Sequence, residues 1–557
     1  MSRIVNPVLP GFHPDPSILR AGDWYYLANS TFEWYPGVEL HRSRDLARWE
    51  SLPSPLAEKR LLDMEGERSS CGVWAPCLSY GGGLFWLVYT NVRTWNAGPW
   101  KDCSNYLTWA PSIEGPWADP VYLGSSGFDP SLFHDDDGSL WLLNMEWDYR
   151  QREDPEGAQF SGILLRRYSP EERKCTGPVK KIFTGSPISC VEGPHLYKRE
   201  GWYYLLTAEG GTVYGHAATV ARSRSIEGPY EVHPHNPLIS SRGRPEHPLQ
   251  KAGHGSWCES PGGRTYLAYL CGRPLPGTRY CVLGRETAIA ELVWHDGWPY
   301  VKGEDGGRQN YPALRFDSPG PPEESSPPPK APAEEGGQGA EAPGDMKAAP
   351  GEGRRVYTFT GKALHGDFKT LRSPADPLRY SLTARPGYLR LRGGQSPVSP
   401  YGQTLLARRQ EHFSFNAETC LECNPASFQE LAGLCWRYDE RNHYLLALTW
   451  DENRGRVLSI LSMRAGHFSR EDGPAVPEGP VYLGLEVREH RGIFRYSGDG
   501  RTFSDTGPAL DSGILSDEYD SLGFTGAFVG IFCIDTSRYE AEADFAYLSY
   551  EPVETSR

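Results

Sequence analysis

The sequence predicts an all-β protein: a five-bladed β-propeller followed by a β-sandwich of jelly-roll type. Three observations carry that expectation. A strand motif recurs about every sixty residues, helical periodicity is almost absent, and one long stretch between the two halves lacks the residues needed to build a core.

The recurring unit is a turn followed by an aromatic-rich strand. It appears as AGDWYYLANS from Ala21, GGGLFWLVYT from Gly81, DDGSLWLLNM from Asp136, REGWYYLLTA from Arg199 and PGGRTYLAYL from Pro261. Upstream of each turn lies a second related element: DPSI at Asp15, APCL at Ala75, DPSL at Asp129, GPHL at Gly193 and the less regular HGSW at His254. Further short strands follow, twice ending in an Ile-Glu-Gly-Pro turn (113–116 and 226–229). Five repeats of about four strands each are the signature of a propeller, which closes radially, hides its sheet edges and leaves a central funnel. The first strand of each blade lies nearest the axis, so the residues around the upstream elements are expected to face the funnel mouth.

From Asp317 to Arg354 there is no Leu, Ile, Val or aromatic residue. Such a segment cannot offset its ordering entropy by burial and reads as a tether. The expected division is therefore 1–316 for the propeller, 317–354 for the Pro/Gly/Glu-rich linker and 355–557 for the sandwich. In the last part Val481, Leu483, Leu485 and Val487 alternate with Tyr482, Gly484, Glu486 and Arg488, as a strand with one buried face requires. Similar strands are expected at 403–408, 430–438 and 527–534.

Composition narrows the function. The 62 Gly and 48 Pro suit short strands joined by tight turns, and 17 Trp with 31 Tyr suit a surface that stacks on sugar rings. A net charge of −14, with acids and bases interspersed, argues against nucleic acid as a partner. No run approaches the roughly 18 apolar residues of a membrane span. The segment from Met1 to Pro7 has no apolar stretch like that of a secretory signal, so a cytoplasmic location with twelve reduced cysteines is expected. Cys420 and Cys423 form a CxxC with no second pair at zinc spacing, and read as two thiols of a strand. No cofactor or metal site is expected: HExxH, Walker and GxGxxG patterns are absent.

Asp15, Asp129 and Glu192 fall at or beside equivalent inner-strand positions of three blades. Any one alone reads as a turn-forming dipeptide. In register, they bring three carboxylates to one axial pocket, where crowding raises at least one pKa as a general acid needs. Two flanking carboxylates are the usual equipment for glycosidic bond hydrolysis. His254, in the corresponding element of the fifth blade, is expected to hold the funnel centre together, by hydrogen bonds or beside an ion. Arg285 reads equally as a bidentate donor to a sugar hydroxyl or carboxylate and as a buried ion pair with Glu286 or a neighbour. Phe32 and Trp74 are candidate pocket walls or ordinary core, and Asp135–Gly138 reads as a hairpin turn rather than a cation site.

The segments NPVLPGFHPDPSI, GVWAPCLSY, SSGFDPSLFHDDDG, EGPHLYK, LLTAEGGT, KAGHGSW and LGRETAI resemble β-xylosidases of glycoside hydrolase family 43, of the type with a C-terminal concanavalin-like sandwich. The likeness runs from Asn6 to LSDEYDSLGFTGAFVGIF near the end. It implies an inverting enzyme that releases xylose from the non-reducing end of xylo-oligosaccharides. Asp15 would be the general base, Glu192 the general acid, and Asp129 the group that tunes and orients the acid. It also implies that His254 and Arg285 serve the funnel centre and sugar pocket, that Phe32 and Trp74 wall the terminal-sugar subsite, that Trp147 stacks on the next sugar, and that Phe524 reaches over from the sandwich to close the pocket. The expected partners are a xylo-oligosaccharide and further copies of the chain.

Two features depart from the pattern. The 317–354 segment is longer and richer in Pro and Gly than expected, and Glu146 precedes Trp147 where an apolar residue is expected. An α-L-arabinofuranosidase of the same family is the nearest rival. A non-catalytic carbohydrate-binding propeller has no need of three crowded acids, and a scaffold protein predicts exposed apolar patches without a pocket.

Overall fold

The computed structural model describes residues 3–95, 98–150, 159–320, 353–520 and 523–554. Among them there are strands and one short 3-10 turn, Ser512–Ile514, and no helix long and apolar enough to cross a membrane. Most of the expected linker, 321–352, lies outside the described residues.

Five antiparallel sheets follow one another along the chain, each led by one of the predicted elements. Their first strands are Ser17–Ala21, Gly72–Gly81, Ser131–His134, Glu192–Arg199 and Gln250–Glu259, and these neighbour one another in a closed ring. Side chains sew the ring together. Ser17 Oγ accepts from Leu78 N at 3.0 Å, Ser79 Oγ meets His134 Nε2 at 3.0 Å, and Asp129 Oδ2 accepts from Gly193 N at 3.1 Å. Tyr197 Oη accepts from Trp257 N at 2.8 Å, and Ser256 Oγ accepts from Ile18 N at 2.7 Å. The chain ends close the circle: Arg3–Val5 pairs with Arg315–Asp317, and the Asn6 amide bonds Ile289 and Ala313 of the fifth blade.

The repeat extends to the backbone dihedrals. Asp15, Ala75, Asp129, Gly193 and His254 all have φ between 38° and 55°. For the four non-glycine residues this left-handed conformation costs on the order of 1–2 kcal/mol each and persists only where the surroundings over-determine it. At the fourth position the residue is glycine, and a Cβ on Gly193 would lie 3.1 Å from the His254 ring, which would have to give way by a few tenths of an ångström.

The second part is the expected sandwich. An eight-stranded sheet built around Ser414–Cys423, Val481–Arg488 and Glu542–Pro552 faces a six-stranded sheet built around Glu430–Arg437, His443–Asp451 and Phe528–Asp535. Val481, Leu483, Leu485 and Val487 are all buried in the core between them. Cys420 and Cys423 sit in one strand as buried free thiols, as do ten other free cysteines elsewhere, all but Cys190 buried.

The two parts share one packed interface. Trp34–Tyr35 of the first blade pairs antiparallel with Thr370–Leu371 of the sandwich, and Trp34 stacks on Phe528 at 3.8 Å between ring centroids. Nearby, the buried Glu39 carboxylate takes Lys369 Nζ at 2.7 Å, Arg409 Nη1 at 2.9 Å and His13 Nδ1 at 3.0 Å. A sandwich loop, held by Lys251 on Asp517 and Glu518 and by Cys281 N on Glu518 Oε2 at 2.9 Å, continues to Phe524.

Candidate active site

All nine residues singled out in the sequence gather at the mouth of the propeller ring. A left-handed residue stands just before or within the inner strand of each of the five blades, and the closed ring of those strands sets the equivalent positions around one axis. This is how acids 114 and 63 positions apart in sequence come to share one pocket. Asp15, Asp129, Glu192, His254 and Arg285 are 2–7% exposed, so the charges sit almost without water.

Asp15 is the most tightly held. Ser30 Oγ donates to its Oδ2 at 2.7 Å, Arg285 Nη1 donates to its Oδ1 at 3.1 Å, and His254 Nδ1 stands 3.8 Å away. Burial would raise its pKa, but Arg285 foremost, then His254 and the Ser30 bond, hold it below the ordinary 3.8. Of the two readings of Arg285, its carboxylate partner is thus Asp15. Glu286 instead binds Arg273 through two contacts of 2.7 Å.

Glu192 and Asp129 behave in the opposite way. Burial, relieved in part by Lys101 and reinforced by the Asp15 charge, pushes Glu192 up to about 8. Burial and then repulsion from Glu192 and Asp15 raise Asp129 well above its usual range, although its Oδ2 accepts from Gly193 N. One buried site therefore sets a carboxylate held low, Asp15, beside two carboxyls pushed upward, of which Glu192 reaches about 8.

Aromatic rings line the same space. Phe32, Trp74 and Phe524 lie 5.3–5.9 Å apart, and Trp95 approaches Phe524 at 4.6 Å. The backbone of Phe524 is pinned from both sides: its N–H donates to Ser70 Oγ at 3.0 Å and its carbonyl accepts from Arg285 Nη2 at 2.9 Å. Arg285 thus touches both the ionised acid and the residue supplied by the sandwich. Trp147 sits farther out, 6.0 Å from Phe128, with its Nε1 donating to Pro99 O at 2.9 Å. Glu146 turns away from it to pair with Lys181.

Lys101 was not legible in the sequence. Its ammonium lies 3.5 Å from the Trp147 ring centroid and 4.5 Å from that of Trp95, and burial lowers its pKa to about 8 despite nearby Cys103 and Glu192. It belongs to no repeat element, and one of its ring neighbours, Trp147, ends a strand of the next blade. Three potential metal-ligating side chains converge at His13, Glu39 and His41. The cations Lys369 and Arg409 already occupy one oxygen of Glu39, so this cluster reads as an ionic clasp between the domains.

Residues 4–299 match the family model Glycosyl hydrolases family 43, and 356–551 match the model Beta xylosidase C-terminal Concanavalin A-like domain. Xylosidase/arabinosidase 43B of Humicola insolens is 47% identical over 100% of this chain and 98% of its own length. The Beta-xylosidase of Bacillus subtilis (strain 168) is 44% identical over 99% of both chains. The crystal structure of xylan beta-1,4-xylosidase from Bacillus halodurans C-125 superposes with a TM-score of 0.89 at 48% identity, covering 99% of this chain and 100% of that one.

Proposed function

The chain belongs to glycosyl hydrolase family 43, and from that premise we propose that it is an exo-acting, inverting β-xylosidase that removes xylose from the non-reducing end of xylo-oligosaccharides. The observation that carries this reading is the division of labour among buried acids: Arg285 keeps Asp15 ionised while Glu192 is pushed up to about 8 in the same pocket.

In this reading the terminal xylose lies among Phe32, Trp74 and Phe524, and the next sugar rests on Trp147. Ionised Asp15 takes a proton from a water on the face opposite the leaving group. Protonated Glu192 donates its proton to the glycosidic oxygen as the C–O bond breaks. Water's oxygen ends on the anomeric carbon with inverted configuration, and the shortened chain leaves with a new hydroxyl. Inversion requires about 6.5–9.5 Å between the base and acid carboxyls, with the water between them. Asp129, whose Oδ2 accepts from Gly193 N beside Glu192, is the group that orients and tunes that acid. A pocket closed on one side by a sandwich residue supports attack at chain ends rather than mid-chain. Residues 1–316 would then be the catalytic body, with 317–354 as the tether to a sandwich that supplies Phe524.

Terminal α-L-arabinofuranose is the second substrate to test, because one of the relatives is named for both activities. Proton NMR of the protein acting on xylobiose, read at early times, tests the proposal. Early α-xylose is the expected product. Early β-xylose would make Asp15 a nucleophile, and no turnover, with release from an arabinofuranoside, would give the protein the other substrate.

A further inference from the structure

Beyond Trp147 the structure carries two aromatic rings that the reaction described above does not use. Trp100 and Tyr149 are stacked on each other at 4.1 Å between centroids with 27° between planes, yet remain 57% and 46% exposed. Each is covalently tied to the site. Trp100 lies between Pro99, whose carbonyl takes the Trp147 indole N–H at 2.9 Å, and Lys101, whose ammonium lies over the Trp147 ring. Tyr149 follows Trp147 by two residues, and between them Asp148 binds the Arg150 guanidinium through two contacts of 2.6 and 2.8 Å. The pair is therefore continuous along the chain with residues of the pocket's outer ring.

A stacked pair buries one face of each ring and leaves the other to solvent. Two large rings exposed at the mouth of a carbohydrate site, beside charges that are already paired, suit the apolar faces of pyranose rings: aromatic rings give broad contact area at low conformational entropy. Resting on the β-xylosidase reading, we propose that Trp100 and Tyr149 form an additional leaving-group subsite, which binds the xylose units beyond the one on Trp147 and sets the enzyme's preference for chain length.

The test is the ratio of kcat/KM for xylotriose and xylotetraose to that for xylobiose, in the full-length protein and in Trp100→Ala, Tyr149→Ala and the double variant. Both side chains are surface-exposed, so truncation leaves the core intact, and circular dichroism checks this. The expected result is a fall of about tenfold in the ratio for the double variant, with partial recovery in Trp100→Phe. A ratio within twofold of the parent would overturn the proposal while leaving the β-xylosidase reading standing. Calorimetric titration with xylotetraose in a Glu192→Gln background, which lacks the proposed acid and so does not consume the sugar, gives a readout independent of turnover: weaker binding when both rings are truncated supports the subsite, and unchanged binding refutes it. Sedimentation separates the remaining possibility. If the double variant dissociates an oligomer while the chain-length ratio stays constant, the pair is a subunit contact and the subsite assignment falls.

Discussion

Removing Arg285 should move the acid limb of the pH–rate profile upward. Its guanidinium donates to Asp15 Oδ1 at 3.1 Å, and both groups are at most 5% exposed. Breaking a buried ion pair by deleting one partner costs about 3–5 kcal/mol. At about 1.36 kcal/mol per pH unit, that bounds the change in the Asp15 carboxyl at roughly 2–4 units. His254 and the 2.7 Å bond from Ser30 remain, so the lower end applies, about 2 units. The parent carboxylate titrates below 3.8, because Arg285 offsets its burial. In Arg285→Met burial dominates, the carboxylate becomes harder to ionise, and activity is lost at a higher pH on the acid side. The assay is kcat/KM on xylobiose from pH 3 to 9, with Arg285→Lys as the variant that keeps a positive charge and is expected to fall between. A profile lowered in height with its acid limb unmoved would refute the claim that Arg285 controls Asp15 ionisation.

Other outcomes follow from the same geometry. Lys101→Met removes the cation that holds Glu192 down, so Glu192 rises further and the alkaline limb shifts to higher pH by about one unit; a shift to lower pH would contradict the pairing. Phe524→Ala deletes three ring contacts of 4.6–5.9 Å, each worth about 0.5–1.5 kcal/mol. With that wall loosened, kcat/KM on xylobiose should fall by at least about tenfold, and a loss below threefold would remove the ring from the pocket wall. Glu39→Gln strands Lys369 and Arg409 without their carboxylate and should destabilise the protein by about 3–5 kcal/mol in urea unfolding; an unchanged transition would show that the clasp does not hold the domains together. Glu39 is held well below 4.5, by Arg409 and Lys369 against the effect of burial. Its stabilising contribution is therefore complete above pH 4.5 and disappears as the pH falls through the depressed value.

The repeats gave the five blades, because a turn and its aromatic strand are local patterns that survive as sequence. The repeat also put Asp15 and Asp129 in one register, and the structure shows a shared positive φ at the equivalent position of every blade. The strand alternation at 481–487 was legible for the same reason, since burial on one face of a strand imposes a period of two.

Other features came only from three-dimensional proximity. The choice of Asp15 over Glu286 by Arg285 depends on how the first blade meets the last, which no local pattern encodes. Lys101 lacks a motif, and it matters because Trp95 and Trp147 enclose it beside Glu192. The Glu39 clasp and the pairing of Trp34–Tyr35 with Thr370–Leu371 join residues more than 300 positions apart. By itself, then, the sequence determined the architecture and the acids, because both are written in short-range periodicity. Tertiary structure alone decided how deeply each acid is buried and which charges it meets, because burial and those neighbours are brought together only by folding.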